Sequence, residues 1–195
     1  DVPLVCDMSS DIFSRKINVS DFDLIYAGAQ KNMGPAGTTV YIFNKDILGK
    51  SSVAIPTMLD LKTHADKDSM FNTPPVFSVY ASMLTLRWLK SIGGLDSIEE
   101  INNQKAELVY NEIDTNPLFS GTAEVEDRST MNATFRLNNE ELNEEFMSML
   151  SDANISGLKG HRSVGGFRAS MYNAMPLESV KTLVDVMQEL TNKKG

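Results

Sequence analysis

Cysteine, histidine and long apolar runs are scarce in this sequence of 195 residues. The single cysteine, Cys6, excludes an internal disulfide framework, and its place in an apolar run predicts a buried thiol in a reducing compartment. The two histidines, His64 and His161, lie far apart, which disfavours a metal site of histidine and cysteine ligands. No run approaches the roughly 18 apolar residues of a transmembrane helix, so we predict no membrane span.

Several signature motifs are also missing. The sequence has no G-x-S-x-G, no G-x-x-x-x-G-K-[ST] and no G-x-G-x-x-G, so serine-hydrolase, P-loop and dinucleotide-binding functions lack their usual patterns. The net charge of −8 argues against nonspecific binding of nucleic acid, which requires a cationic surface.

Acidic residues are unevenly distributed. None occurs in 24–45 or in 157–177, and the second of these windows holds the cations Lys159, His161, Arg162 and Arg168. An acidic protein that keeps a segment free of carboxylates protects an anion site from repulsion. For the first window, the low charge of strands and glycine turns is an equally good explanation.

The residue pattern predicts an α/β protein in two parts. The chain opens with a strand-like run and no initiator methionine, so we expect a piece of a longer protein. Residues 1–92 are predicted to hold three strands and one long helix that ends at a Gly-Gly pair: Val2–Cys6, Leu24–Ala27, Thr38–Phe43 and Val76–Ile92. Residues 95–195 are predicted to form a smaller α/β domain of alternating elements: helix 95–113, strand 132–137, helix 140–153, strand 167–172 and helix 177–190. We expect 55–69 to be irregular.

Two strand ends carry residues of opposite charge. Asp7 follows the first predicted strand and Lys31 follows the second. If these strands are adjacent and parallel, both side chains emerge at one edge of the sheet, as a pyridoxal phosphate enzyme requires: a lysine for the aldehyde and a carboxylate for the pyridine nitrogen. Gln30, Asn72 and Thr73 could donate hydrogen bonds to the cofactor phosphate. A solvated lysine and a turn-capping aspartate explain the same spacing, so the pattern alone leaves both interpretations open.

Four stretches, in this order, closely resemble the class V aminotransferases of fold-type I, and within that family the members that make phosphoserine. They are Asp7-Met-Ser-Ser, Tyr26-Ala-Gly-Ala-Gln-Lys-Asn-Met-Gly-Pro-Ala-Gly37, Asn72-Thr-Pro-Pro75 and Gly160-His-Arg-Ser-Val-Gly-Gly-Phe-Arg168 with the residues to Pro176. The resemblance covers essentially the whole chain and lacks the family's amino-terminal half. It implies that residues 1–92 are the carboxy-terminal part of a large cofactor-binding domain with a mainly parallel sheet, and that 95–195 form the small domain with substrate-binding residues.

The resemblance also implies roles for individual residues. Lys31 is expected to be the Schiff-base lysine and proton carrier, Asp7 the partner of the pyridine nitrogen, and Gln30 a contact of the cofactor phosphate. Asn72 and Thr73 are expected to reach the cofactor phosphate of a neighbouring subunit, which makes the active site one shared across a homodimer.

Three residues of the small domain are expected to bind substrate. Arg168 clamps the α-carboxylate, and His161 and Arg162 bind a phosphate group.

The implied reaction is transfer of the amino group of glutamate, through pyridoxal phosphate, to 3-phosphohydroxypyruvate, which gives phosphoserine and 2-oxoglutarate in a cytoplasmic homodimer. A further activity in pyridoxine synthesis stays open. Two alternatives also remain: another class V aminotransferase acting on a substrate without phosphate, and a chain that folds without catalytic activity of its own. No metal, nucleic acid or membrane partner is expected.

Overall fold

A computed structural model describes residues 2–161, 163 and 165–194. Cα packing divides the chain into two units, the first ending at Leu95 and the second beginning at Asp96. Each unit combines a three-stranded sheet with helices, so the predicted α/β class is confirmed. Among the described residues, no helix has both the length and the apolar character needed to cross a membrane.

The sheet of the first unit has the order β1 (Val5–Asp7), β2 (Leu24–Gly28) and β3 (Thr39–Phe43). Strands β1 and β2 are parallel, with Asp7 opposite Tyr26, whereas β2 and β3 are antiparallel. The adjacent parallel pair on which the cofactor hypothesis depends is therefore present. The sheet expected to be mainly parallel contains one parallel and one antiparallel pairing in this part of the chain.

The prediction that the first strand is buried was wrong. Val2, Leu4 and Val5 are 93%, 54% and 55% exposed, and Cys6 is half-buried. Within the described chain, β1 is an edge strand that pairs only with β2. Strand β2 is buried as predicted, and its residues pack with those of the loops that follow β1 and β2 in a core of Met8, Ile12, Ile25, Ala27, Ala29 and Met33.

Two helices follow the sheet of the first unit. The segment predicted to be irregular contains the short helix α1 (Leu61–Ala65), because Asp60 caps it by accepting a hydrogen bond from the backbone N–H of Lys62 at 2.9 Å. Helix α2 (Val76–Ser91) starts after Pro75, one residue shorter than predicted at its carboxyl end. Single 3₁₀ turns occur at Val19–Asp21, Lys45–Ile47 and Thr57–Leu59.

The second unit contains an antiparallel sheet in the order β4 (Phe119–Gly121), β5 (Asn132–Leu137) and β6 (Phe167–Ser170). Helix α3 (Gly94–Thr115) leads into it, and helices α4 (Asn143–Asp152) and α5 (Leu177–Lys194) pack against each other. Further 3₁₀ turns occur at Val125–Asp127 and Glu140–Leu142. Sequence reasoning missed β4, which is only three residues long and ends in glycine.

One face of this second sheet is core and the other is polar. Ring centroids of Phe119, Phe135, Phe146 and Phe167 lie 5.0–5.9 Å apart in the core. Along β5, the buried residues Ala133, Phe135 and Leu137 alternate with Asn132, Thr134 and Arg136, the period-two pattern of a sheet with one solvated face. The predicted substrate residue Arg168 lies on that solvated face, opposite Thr134 in the register.

Candidate active site

Asp7 is held as a carboxylate at the end of β1. Its Oδ1 accepts a hydrogen bond from the backbone N–H of Ser9 at 2.8 Å. The Ser9 hydroxyl, and then this N–H, lower the pKa of Asp7 below its ordinary value, and the Tyr26 hydroxyl and the charge of Lys31 act in the same direction. Asp7 is therefore ionised at neutral pH, the state required to pair with a protonated ring nitrogen.

Lys31 lies in the turn that follows β2, at the same end of the sheet as Asp7. Its Nζ donates a hydrogen bond to the Ser10 hydroxyl at 3.2 Å, and its side chain is exposed. The neighbouring Gln30 folds its amide back over Gly28, where a Cβ atom would lie only 2.5 Å from the Gln30 Oε1. The Gln30 amide can therefore occupy the space above the end of β2, because residue 28 has no side chain.

The side chain of Asn32 links the loop after β1 to the loop that carries Lys31 by hydrogen bonds. It is 6% exposed, and its Nδ2 donates to the carbonyl oxygens of Ser10 and Ile12, both at 3.2 Å. A second hydrogen bond links the same part of the chain: the N–H of Gly28, at the end of β2, donates to the Ser9 hydroxyl at 3.0 Å. These bonds fix the loop of the carboxylate against the loop of the amine.

The Gly-Pro-Ala-Gly turn after Lys31 packs closely on helix α2. The Ser78 hydroxyl donates to the Ala36 carbonyl oxygen at 2.9 Å, and a Cβ at Gly37 would lie 2.7 Å from that hydroxyl oxygen. A Cβ at Gly34 would likewise lie 3.2 Å from the backbone N and Cα of Ser82. Both glycines have positive φ, so the turn needs glycine for conformation as well as for space.

Asn72 and Thr73 lie in the loop before α2. Both are exposed, and the Asn72 Nδ2 donates to the Thr73 carbonyl oxygen at 3.1 Å. Within the part of the chain that the structure describes, neither residue hydrogen-bonds to the loops of Asp7 or Lys31. The structure therefore places Asp7, Gln30 and Lys31 at one end of the sheet, and the role of Asn72 and Thr73 toward a neighbouring subunit stays a prediction.

The predicted substrate residues of the second unit lie around one cleft. His161 and Arg168 both line an open depression of about 490 Å³, together with Thr134, Arg136, Glu140 and Gly166. The His161 Nδ1 accepts the backbone N–H of Ser163 at 3.3 Å and lies 2.7 Å from its hydroxyl oxygen. With Nδ1 engaged by Ser163, Nε2 is the ring nitrogen available to an anion. Arg162, the third predicted substrate residue, lies outside the described residues.

A glycine-rich turn places His161 beside strand β5. A Cβ at Gly160 would overlap the carbonyl oxygen of Gly165, and one at Gly166 would lie 2.7 Å from the carbonyl oxygen of Phe135. The Gly160 N–H donates to the carbonyl oxygen of Gly166 at 2.9 Å, and the Gly165 N–H donates to the carbonyl oxygen of His161 at 2.9 Å. The turn closes on itself and against the sheet only because these positions lack side chains.

A buried lysine supports the chain where it leaves β6. Lys105 of α3 is fully buried, and its Nζ donates to the carbonyl oxygens of Met171, Tyr172 and Met175 at 2.9–3.2 Å. Burial lowers its pKa to about 8. Nearby, the Asn102 Nδ2 donates to the Asn173 Oδ1 at 2.9 Å. Helix α3 therefore holds the segment that directly follows Arg168.

Comparison with known proteins shows which family the chain belongs to. The model of the class V aminotransferases matches residues 1–183. The chain belongs to the class V aminotransferase family. It is 66% identical over 192 residues to the phosphoserine aminotransferase of Flavobacterium psychrophilum, which covers 98% of this chain and 54% of that protein. The chain thus spans about half the length of the curated relatives it matches.

Solved structures share the fold. The phosphoserine aminotransferase of Bacillus circulans subsp. alkalophilus superposes with a TM-score of 0.94 at 46% identity, over all of this chain and 54% of that one. The PLP-bound phosphoserine aminotransferase of Trichomonas vaginalis superposes with a TM-score of 0.90 at 38% identity, over 96% of this chain and 55% of that one. The predicted resemblance, including its fold-type I architecture, is confirmed.

Sequence reasoning missed several residues of the site. The sequence pattern gives no individual role to Ser9 and Ser10, although they follow Asp7 within three residues. Asn32 is adjacent to Lys31, but nothing in the pattern indicated that its amide would be buried. Among the described residues, no group of three histidine, cysteine or acidic side chains could hold a metal ion.

Proposed function

We propose that the full-length protein is a pyridoxal phosphate-dependent aminotransferase that converts 3-phosphohydroxypyruvate and glutamate into phosphoserine and 2-oxoglutarate. The observation that carries this proposal is the ionised carboxylate of Asp7 and the amine of Lys31 at the same end of two adjacent parallel strands, close enough for the charge of Lys31 to help lower the pKa of Asp7. The family and the PLP-bound relative support the same cofactor.

The residues present fit this cofactor. Pyridoxal phosphate, when bound, supplies an aldehyde that takes up amino groups and a ring that accepts electrons. Asp7 would hold the ring nitrogen protonated, because a carboxylate with a lowered pKa stays charged beside a cation. Lys31 would bind the aldehyde carbon and move protons at the substrate α-carbon, and the Gln30 amide would donate to the phosphate.

The second unit would supply the substrate contacts. A guanidinium such as that of Arg168 binds a carboxylate through two parallel hydrogen bonds, which orients the α-carbon as well as binding it. His161, whose Nδ1 is engaged by Ser163, would donate to the phosphate group through Nε2, and Arg162 would assist it. Residues 1–92 would belong to the cofactor-binding domain and 95–195 to the substrate-binding domain.

We extend the proposal to assembly and location. Asn72 and Thr73 are exposed, which is consistent with contacts to the cofactor phosphate of a partner subunit in a homodimer. A single free cysteine suits the reducing cytoplasm. Activity on a longer phosphorylated substrate of pyridoxine synthesis would use the same residues.

The direct test is an assay of the full-length protein with glutamate and 3-phosphohydroxypyruvate. We expect formation of phosphoserine, and much weaker activity with hydroxypyruvate, which has no phosphate. Equal activity on both acceptors would instead indicate a class V aminotransferase for substrates without phosphate. His161→Ala discriminates further, since it should raise the KM for the phosphorylated acceptor and change that for hydroxypyruvate far less.

A further inference from the structure

A second arginine shares the polar face of the second sheet with Arg168. Arg168 lies opposite Thr134 in the register of β5 and β6, and Arg136 is two residues further along β5. Residues on the same face and in this diagonal relationship have Cα atoms about 7–8 Å apart, within reach of long side chains. Both arginines line the cleft of about 490 Å³ that also includes His161.

The glycine-rich turn brings His161 to the same end of the sheet as Arg136. A Cβ at Gly166 would lie 3.5 Å from the Cβ of Arg136, so the backbone of the turn passes directly over this residue. The order along the face is therefore Arg168, then Arg136 beneath the turn of His161. An extended substrate held at one end by Arg168 would direct its other end toward Arg136 and His161.

Neither arginine is neutralised in the part of the chain that the structure describes. No carboxylate there lies within ion-pair distance of Arg136 or Arg168. Among the described residues, Arg136 makes one side-chain hydrogen bond, from its Nε to the Ser120 hydroxyl at 3.3 Å, which holds the side chain across the sheet and leaves its terminal nitrogens without a partner there. Glu140 lines the same cleft without pairing with either group. Arg128, by contrast, forms an ion pair with Asp114, in which its two terminal nitrogens donate to the two carboxylate oxygens at 2.6 and 2.7 Å.

We propose that Arg136 is a specificity-determining residue that binds the distal anionic group of the substrate, while Arg168 holds the α-carboxylate. This inference rests on the proposed function and identifies the substrate class as amino and keto acids with a second anion at the end opposite the α-carboxylate. At the distal end, the guanidinium of Arg136 and the ring of His161 together offer several donors, which suit a phosphate with its three terminal oxygens better than a carboxylate with two.

The test compares three forms of the full-length enzyme: wild type, Arg136→Gln and Arg136→Lys. For Arg136→Gln we expect the KM for phosphoserine to rise about 10- to 100-fold, the loss typical of one hydrogen-bonded charge, with kcat changed far less. Transamination of serine, which has no distal anion, should be unchanged. Arg136→Lys should restore part of the affinity, because lysine keeps the charge but not the planar fork.

Lys181→Gln is the matched control, since it removes one positive charge from an exposed helix position paired with Glu178. It should leave the KM for phosphoserine unchanged. Equal KM values for phosphoserine in wild type and Arg136→Gln, or an equal loss in Lys181→Gln, would overturn the assignment of Arg136.

Calorimetric titration with inorganic phosphate separates this inference from the proposed function. Wild type should bind phosphate and Arg136→Gln should bind it at least about tenfold more weakly. A wild-type protein that fails to transaminate phosphoserine but shows this phosphate difference would overturn the proposed function and keep the anion site. Phosphate binding that is absent from wild type, or equal in both forms, would overturn the anion site.

Discussion

The side-chain amide of Asn32 lies 3.2 Å from the carbonyl oxygen of Ser10, and this contact joins the two loops that carry the candidate cofactor residues. The same amide reaches the carbonyl oxygen of Ile12. Because Ser10 also accepts a hydrogen bond from Lys31, the position of the amine depends on where Asn32 holds the neighbouring loop. A residue that does not touch the cofactor can in this way set the geometry around it.

Asn32→Asp tests this relationship with almost no change in shape. The carboxylate would lose both donated bonds and face two carbonyl oxygens in a buried place, so we expect a loss of about 2–4 kcal/mol in the free energy of unfolding. The measurement that separates positioning from mere stability is the pH titration of the visible band of bound pyridoxal phosphate in the full-length protein. We expect its midpoint to move.

Asn102→Asp provides the control, because Asn102 is equally buried but belongs to the second unit. It should lower stability and leave the midpoint of the visible band in place. An unchanged midpoint in Asn32→Asp, with stability lowered in both variants, would show that Asn32 has no influence on the lysine.

Lys105→Met should destabilise the protein at neutral pH. The variant keeps the apolar stem but leaves the carbonyl oxygens of Met171, Tyr172 and Met175 without their donor, at a cost of about 2–4 kcal/mol. Denaturant unfolding of the full-length protein at pH 7 measures this difference. A difference below about 0.5 kcal/mol would mean that water replaces the ammonium group at no cost.

The stability of the two forms should also differ in its pH dependence. The pKa of Lys105 is about 8 in the folded protein and near 10.5 in the unfolded chain, so between these values the unfolded state binds more protons. Stability therefore rises with pH in this window, by up to about 3 kcal/mol relative to Lys105→Met. Parallel curves for both forms from pH 8 to 10.5 would contradict the lowered pKa.

Asp7→Asn should impair cofactor chemistry without unfolding the protein. Asp7 is exposed, so its amide should be tolerated, but the neutral side chain cannot hold a ring nitrogen protonated. We expect kcat to fall by at least about 100-fold while the melting temperature stays within a few degrees. Ser9→Ala is the comparison: it should raise the pKa of Asp7 but leave the residue ionised at pH 7, so its kcat should remain near wild type.

Local sequence patterns predicted the elements whose causes are local. The alternation in 132–137 predicted β5 with its correct bounds, and Pro75 and the Gly93-Gly94 pair bracketed α2 to within one residue. Asp7 and Lys31 could be placed at one sheet edge because parallel strands end on the same side. The short strand β4 carries too few residues to show a period, and the burial of β1 depends on packing partners that a local pattern does not encode.

The supporting contacts of the site could not be predicted in the same way. The bond from Asn32 to Ser10 joins residues 22 apart, and that from Lys105 to Met171 joins residues 66 apart, so each exists only after the chain has folded. Arg136 is one more polar residue in an alternating strand until the register places it diagonal to Arg168. The motifs identify the chemistry, while tertiary contacts determine which neighbours support it.

The most direct test of the central claim is to locate the covalent attachment of the cofactor. The full-length protein is loaded with pyridoxal phosphate, reduced with borohydride, digested and analysed by mass spectrometry, with Lys31→Arg as the control. We predict a phosphopyridoxyl group on the peptide that contains Lys31, and none in the control. Attachment at another lysine, or no attachment in the wild-type protein, would contradict the account.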